Sequence, residues 1–359
     1  DVPLPDFKSW SPESPFLYQV EFEACGEVIR SYFGMRKFSV GRDLDGLPRL
    51  FLNNKPYFHN GLLDQGYYPD GFLTPPANAA MAYDVTHVKR CGFNMLRKHI
   101  KMEPLLWYHY CDVQGILVWQ DMINGGGTYN LLTISAPLIT GIHHKDHDYK
   151  KFARTDAIAR ASYYTELTEL IAQLYSCPCI CTWVLFNEGW GQFDACDAAE
   201  RIHALDPTRP IDATSGWYDQ RCGDFHSVHN YFRPLEIYPD KGPLRGYVAE
   251  FEKKHRRRRR AAHYVVLPVA RHGVRAFVIS EFGGLAQLVP EHAAVSRAYG
   301  YGEYDSIDDW RAAVRSVLAS AAALESRGLA GYVYTQVSDV EEELNGLLTY
   351  DRRVDKFAE

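Results

Sequence analysis

Two glutamates stand where apolar runs end. Glu188 closes CTWVLFNE (181–188), and Glu281 follows AFVIS (276–280). A carboxyl at the end of a buried strand is partly stripped of water, which raises its pKa unless a partner opposes it. Two such groups facing each other across a cleft suit the hydrolysis of a glycosidic bond, one protonating the leaving oxygen while the other attacks the anomeric carbon. Further polar residues fall at the ends of other apolar segments: Asp64, Arg97 with His99, Asp121, Asn187, Ser215 with Trp217, His229 with Asn230 and Tyr231, and Gln336 with Asp339. Other clusters offer less chemistry. His143, His144 and His147 lack a Cys or Glu at metal-ligand spacing, and Cys177, Cys179 and Cys181 alternate without the usual two-residue gap, so no metal site is expected.

The elements that must position these residues are legible as short apolar strands alternating with longer helix-compatible stretches. Strands are expected near 57–61, 93–99, 115–121, 181–188, 210–215, 224–231, 276–282 and 331–336, with helices over segments such as TDAIARASYYTELTELIAQLY and SIDDWRAAVRSVLASAAALESRG. Eight strand–helix repeats predict an α/β fold, a (β/α)8 TIM barrel, whose chemistry belongs at the C-terminal ends of its strands. A doubly wound sheet would want a glycine-rich phosphate loop after its first strand, and neither G-x-G-x-x-G nor a Walker A pattern occurs. Residues 1–55 are β-rich and punctuated by Pro, Gly and Asp-Gly. They are expected to be the end of a β-sandwich, leaving 56–359 as the barrel.

Composition narrows the function classes. The chain has 359 residues, 46% hydrophobic and 23% charged, with a net charge of −6, so neither wholesale disorder nor a surface built to track a phosphate backbone is expected. No apolar run reaches about 18 residues, which excludes a transmembrane helix. The one strongly basic run, EKKHRRRRRAAH (252–263), reads as a solvated face, with polyanion binding through Arg256–Arg260 as the competing reading. Eight cysteines in so long a chain predict no disulfide framework. The absence of an Asn-x-Ser/Thr sequon leans towards a cytoplasmic location without deciding it.

Longer motifs carry a resemblance. FNEGWGQFD (186–194), ISEFGG (279–284), GLLDQGYYPDG (61–71), GFNMLRKHIKMEPLLWYHYCDVQGILVWQDM (92–122) and YTQVSDVEEELNGLLTYDR (334–352) resemble glycoside hydrolase family 2, the β-galactosidases, β-glucuronidases and β-mannosidases. WSPESPFLYQVEFEA and SYFGMRKFSV look like the last strands of that family's immunoglobulin-like domain. The resemblance implies a retaining exo-β-glycosidase that needs no cofactor, with Glu188 as general acid/base, Asn187 at the sugar 2-hydroxyl and Glu281 as nucleophile. It also implies that Tyr231 and Arg97 contact the nucleophile, and it makes a β-glycoside the partner. Departures are equally specific. His99 follows Arg97 by two residues where three is usual. The loop DMINGGGTYN (121–130) lacks the Glu and His that bind magnesium in the large β-galactosidases. No Asn-x-Lys follows Glu281, which counts against glucuronides, and Tyr334–Gln336 stand where many relatives have a Trp platform. A galactosidase-like enzyme is thus expected. The alternative is a carbohydrate-binding barrel without turnover.

Overall fold

The computed structural model describes residues 3–135, 143–231, 274–297 and 299–358. The chain opens with β1 (Tyr18–Ala24) and β2 (Glu27–Phe33), an antiparallel hairpin. Its turn residues Cys25 and Gly26 both have positive φ, the backbone that matches strand twist in a two-residue loop. β3 (Phe38–Arg42), β4 (Pro48–Leu52) and β5 (Lys55–Pro56) form a three-stranded antiparallel sheet. Asn53 and Asn54 make its second turn at φ 51° and 65°, and Asn tolerates that region better than most residues.

The barrel follows. Its strands are β6 (His59–Asp64), β7 (Met95–Lys98), β8 (Leu117–Asp121), β9 (Ile180–Val184), β10 (Ile211–Asp212), β11 (Phe225–Asn230) and β12 (Ala276–Gly283). A small parallel pair, β13 (Leu285–Gln287) and β14 (Gly302–Tyr304), intervenes before the eighth barrel strand, β15 (Leu329–Thr335). All eight are parallel, in the order β10-β9-β8-β7-β6-β15-β12-β11. The seam is joined where Asp224 N–H donates to Ile211 O and Ile211 N–H to Asp224 Oδ2, both at 2.8 Å. Strands such as LVWQD and ICTWV are buried at every residue, because the helices cover one face and the barrel interior the other. The expected barrel is therefore present, its strands within a few residues of the sequence reading.

Helices α1 (Asn78–Arg90), α2 (Leu105–Gln114), α3 (Leu131–Ser135), α4 (Ala157–Leu174), α5 (Ala195–Leu205) and α6 (Ile307–Ala322) connect them. Their ends carry the expected devices. Asp156 caps α4 by accepting from Ile158 N–H, and Ser306 caps α6 by accepting from Asp309 N–H. Gly115 ends α2 at φ 70°, where an added Cβ would lie 2.5 Å from Pro12 O.

The N-terminal strands are not a loose appendage. Trp10, Phe38, Leu50 and Leu52 belong to the same hydrophobic cluster as the barrel strands. The Trp10 indole donates to Asp112 O at 2.8 Å, and Arg49 to the carbonyl of Leu329, the first residue of β15, at 2.9 Å. This end of the barrel is closed by packing, which leaves the other for chemistry. No helix among the described residues is long and apolar enough to cross a membrane. The basic run 252–263, Arg256–Arg260 included, lies outside the described residues.

Candidate active site

The C-terminal ends of the barrel strands enclose a cavity of about 230 Å³. Glu188 and Glu281 both line it, with Asn187, His99, Trp190 and Tyr231 around them. The strand that delivers Glu188 is continued past β9 by Leu185 N–H to Asp212 O (3.0 Å), Ser215 N–H to Phe186 O (2.8 Å) and Glu188 N–H to Ser215 O (2.9 Å). There the chain turns sharply: Glu188 takes φ 51° and Gly189 φ 74°. A side chain on residue 189 would meet the Tyr218 ring at 2.7 Å, so the turn needs glycine there for space as well as conformation.

Glu281, near the end of β12, is held by charge. Its Oε1 accepts from Arg97 Nη1 at 3.1 Å and its Oε2 from the Tyr231 hydroxyl at 2.6 Å. Arg97 is fully buried and spends its other donors on Asp121 (2.9 Å, bidentate), Asn187 Oδ1 (2.9 Å) and Ser280 O (3.1 Å). Burial works to discharge Arg97, but Asp121 and Glu281 outweigh it and push its pKa up. Burial likewise works to raise Asp121, yet Arg97 and the His99 ring, 2.8 Å away, hold it below the usual range.

Among the described residues Glu188 is bonded by no arginine or lysine, and burial outweighs the more distant charges of His99 and Arg97. Its Oε1 lies 2.7 Å from His229 Nδ1, and burial pushes its pKa up to about 7. Burial also pulls His229 down to about 3, so the ring is neutral. His229 Nε2 is 3.0 Å from Ser215 Oγ, which donates to Ser280 Oγ at 2.8 Å. Ser215 must then accept from Nε2–H, which leaves Nδ1 as an acceptor for the protonated Glu188 carboxyl. Trp217 packs edge-on against His229 from behind, ring centroids 5.3 Å apart.

The two carboxylates and the imidazole each place one ligand-type atom within 4.8 Å of the others. A cation could be imagined there. The three groups instead hold one another, and Arg97 already supplies the positive charge for Glu281.

Several expected residues do not reach the cavity. Asp64 is spent in a buried ion pair with Lys98 Nζ at 2.6 Å, which also binds Glu103. Asp339 pairs with Lys356 Nζ at 2.7 Å and accepts from Gly346 N–H, pinning a loop. Asn230 sits in the β11–β12 ladder beside Phe282 and is absent from the lining. Arg97, Asp121, His229, Trp217 and Gln336 lie behind the lining as its support. His143 Nε2 donates to the Asp219 carbonyl at 2.6 Å, and His144 stacks on Tyr218. The three histidines thus form no ligand cluster among the described residues. Cys177, Cys179 and Cys181 are buried and free, whereas Cys196 and Cys222 are joined, a disulfide the cysteine count alone did not reveal.

The sequence reading missed Gln65, Tyr299, Tyr301, Thr335 and Asn345, all lining the cavity, and Glu343 lines it with them. Tyr301 stacks on Tyr231 at 4.1 Å, and the Tyr231 hydroxyl also contacts Thr335 Oγ1 at 2.9 Å. Gln65 stood next to Asp64, a position already singled out; Tyr299 and Tyr301 lie in a loop with no periodic signal.

The description "Glycosyl hydrolases family 2, TIM barrel domain" matches residues 50–355. The chain belongs to glycoside hydrolase family 2. Among family 2 relatives it is 28% identical over 235 residues to a β-galactosidase of Pectobacterium atrosepticum, covering 62% of this chain and 20% of that protein. A β-galactosidase 2 of Enterobacter cloacae is 25% identical over 223 residues, covering 60% and 19%. The chain thus spans about a fifth of the length of these relatives. In fold it is similar to a family 2 β-galacturonidase from Eisenbergiella tayi bound to galacturonate, with TM-score 0.66, 19% identity, and coverage of 99% of this chain and 59% of that one. A β-D-glucuronidase from Dictyoglomus thermophilum superposes with TM-score 0.67 at 17% identity, covering 98% and 58%.

Proposed function

We propose that this family 2 chain hydrolyses the O-glycosidic bond of a β-glycoside with retention of configuration, Glu281 serving as nucleophile and Glu188 as general acid and then base. The observation that carries the reading is the pairing itself. Two carboxylates have oxygens within 4.8 Å of each other, one held by a cation and one against a neutral ring. Retaining enzymes keep their carboxyls about 5–5.5 Å apart, whereas inverting ones leave about 6.5–9.5 Å for a water. In the first step a Glu281 oxygen bonds to the anomeric carbon while the bond to the leaving oxygen breaks, and that oxygen takes the Glu188 proton. In the second, Glu188 removes a proton from water, whose oxygen attacks the same carbon and releases Glu281.

Tyr231 and Arg97 orient the nucleophile, Asn187 stands beside both for the sugar 2-hydroxyl, and Trp190 lines the mouth. Residues 1–55 are assigned on the same reading to the closing strands of an immunoglobulin-like domain. The experiment is trapping with 2-deoxy-2-fluoro β-glycosides followed by peptide mass spectrometry. One sugar mass on the peptide containing Glu281 is expected; a chain that turns over aryl β-glycosides without ever carrying the label would overturn the retaining assignment.

A further inference from the structure

Beside the proposed catalytic pair, the cavity lining carries a third carboxylate that the reaction does not use. Glu343 Oε2 accepts from Gln65 Nε2 and from Gln336 Nε2, both at 2.9 Å. Gln65 Nε2 also donates to Gln336 Oε1 at 3.0 Å, and Gln336 Nε2 to Asn345 Oδ1 at 2.8 Å. Every N–H of both amides is thereby spent, and the carboxylate is fixed in orientation. Its Oε1 has no protein partner among the described residues, yet the side chain lines the cavity. No lysine or arginine lines it among those residues; Arg97, just beneath, has its Nε, Nη1 and Nη2 engaged.

Resting on the glycosidase reading, we propose that Glu343 selects the substrate class: its free Oε1 accepts a hydroxyl of a neutral hexopyranoside and excludes hexuronides. Burial raises the Glu343 pKa, while the Gln65 and Gln336 amides favour its ionised form, and the ionised carboxylate only accepts, so its ligand must bring an O–H. A sugar hydroxyl does so. A uronate's carboxylate cannot at neutral pH, and it would place a further negative charge against Glu343 and Glu281 with no free lysine or arginine among the described lining residues to meet it. A site built to bond a hydroxyl rejects the analogue that lacks it far more strongly than an apolar pocket rejects an extra methylene. Relatives bear names of both kinds, β-galactosidases by sequence and uronidases by fold, so the choice is open on similarity alone and is made here by the charge of the wall.

The test pairs 4-nitrophenyl β-hexosides with the matching hexuronides in the galacto and gluco series, adding the mannoside, on the 359-residue chain and on Glu343→Gln and Glu343→Asp. The expected result is a preference for the hexoside of about 1,000-fold or more in kcat/KM. Glu343→Gln should narrow that ratio at least about tenfold, mainly through KM for the hexoside, and Glu343→Asp should keep part of it. Thermal melts on each variant separate misfolding from lost selection. A uronide hydrolysed as well as its hexoside, or a ratio unmoved in a folded Glu343→Gln, would overturn the proposal while leaving the glycosidase reading intact. Binding of free galactose, glucose and mannose against galacturonate and glucuronate, followed by ligand NMR, covers the reverse case. Preference for the neutral sugar without turnover sustains the selection and sinks the glycosidase. No binding and no turnover sinks both.

Discussion

The cavity has two walls that treat a carboxyl in opposite ways. On the β7–β8–β12 side Arg97 spreads its guanidinium over Asp121, Asn187 and Glu281, and a negative charge is matched at each step. On the other side Glu188 bonds the neutral His229 ring, which Ser215 backs, and Arg97 and His99 reach it only at a distance. The two carboxyls share one solvent and nearly one position, so proximity alone would make them alike. What separates them is one buried cation, which donates to Glu281 and not to Glu188. Surroundings that raise the Glu188 pKa mark it as the acid of the pair.

That contrast can be broken from either side. Glu281→Gln removes the attacking oxygen and should lower kcat by roughly 10⁴-fold or more, measured on a nitrophenyl β-glycoside, because a covalent route has no substitute group nearby. Glu188→Gln should cost about 10²–10⁴-fold on substrates with poor leaving groups and much less on 2,4-dinitrophenyl glycosides, which need no acid; equal losses on both would contradict its role. Arg97→Met abolishes the difference between the walls by leaving Asp121 and Glu281 as uncompensated buried charges. It should destabilise the fold by about 3–5 kcal/mol in urea unfolding, and a mild effect would mean the network is wetter than described.

The smallest effects are those of pH, and they sharpen the comparison. Burial places the Glu188 pKa at about 7. The acid form is needed for the first step, so kcat/KM should fall as pH rises through about 7, and that limb should vanish in Glu188→Gln. Stability follows the same sign. A carboxyl whose folded pKa exceeds the unfolded 4.5 holds its proton more tightly when folded, so its contribution is intact below 4.5 and declines as pH rises through 7. At pH 8 Glu188→Gln should therefore be more stable than the parent by about 3 kcal/mol, an advantage that disappears at pH 4.

The barrel and both glutamates were legible because each strand is a short apolar run that stops at a polar residue. Such a pattern marks where a side chain is delivered and says nothing about what awaits it. Asp64 and Asp339 occupy strand ends as plainly as Asp121 does, but Lys98 and Lys356 reach them from elsewhere in the chain and consume them. Asn230 has a similar position and lies in the ladder instead. Gln65, Glu343 and Asn345 make the opposite case. They are brought together across 280 residues by a network of amide bonds, and no local period announces such an encounter. His229 was singled out as a mouth residue; its neutrality, and hence its bearing on Glu188, came only from its depth.

Glu188 occupies a left-handed backbone position, at φ 51°. For a residue with a Cβ that conformation costs on the order of 1 kcal/mol, and glycine or asparagine would occupy it more cheaply. Together with its partly buried carboxyl, this makes Glu188 a poor choice for folding. Drift under selection for stability alone would erase it early, since replacements that relieve strain are abundant and neutral to the fold. On the glycosidase proposal, the strained backbone at Glu188 is the conformational cost of delivering the acid to the cavity.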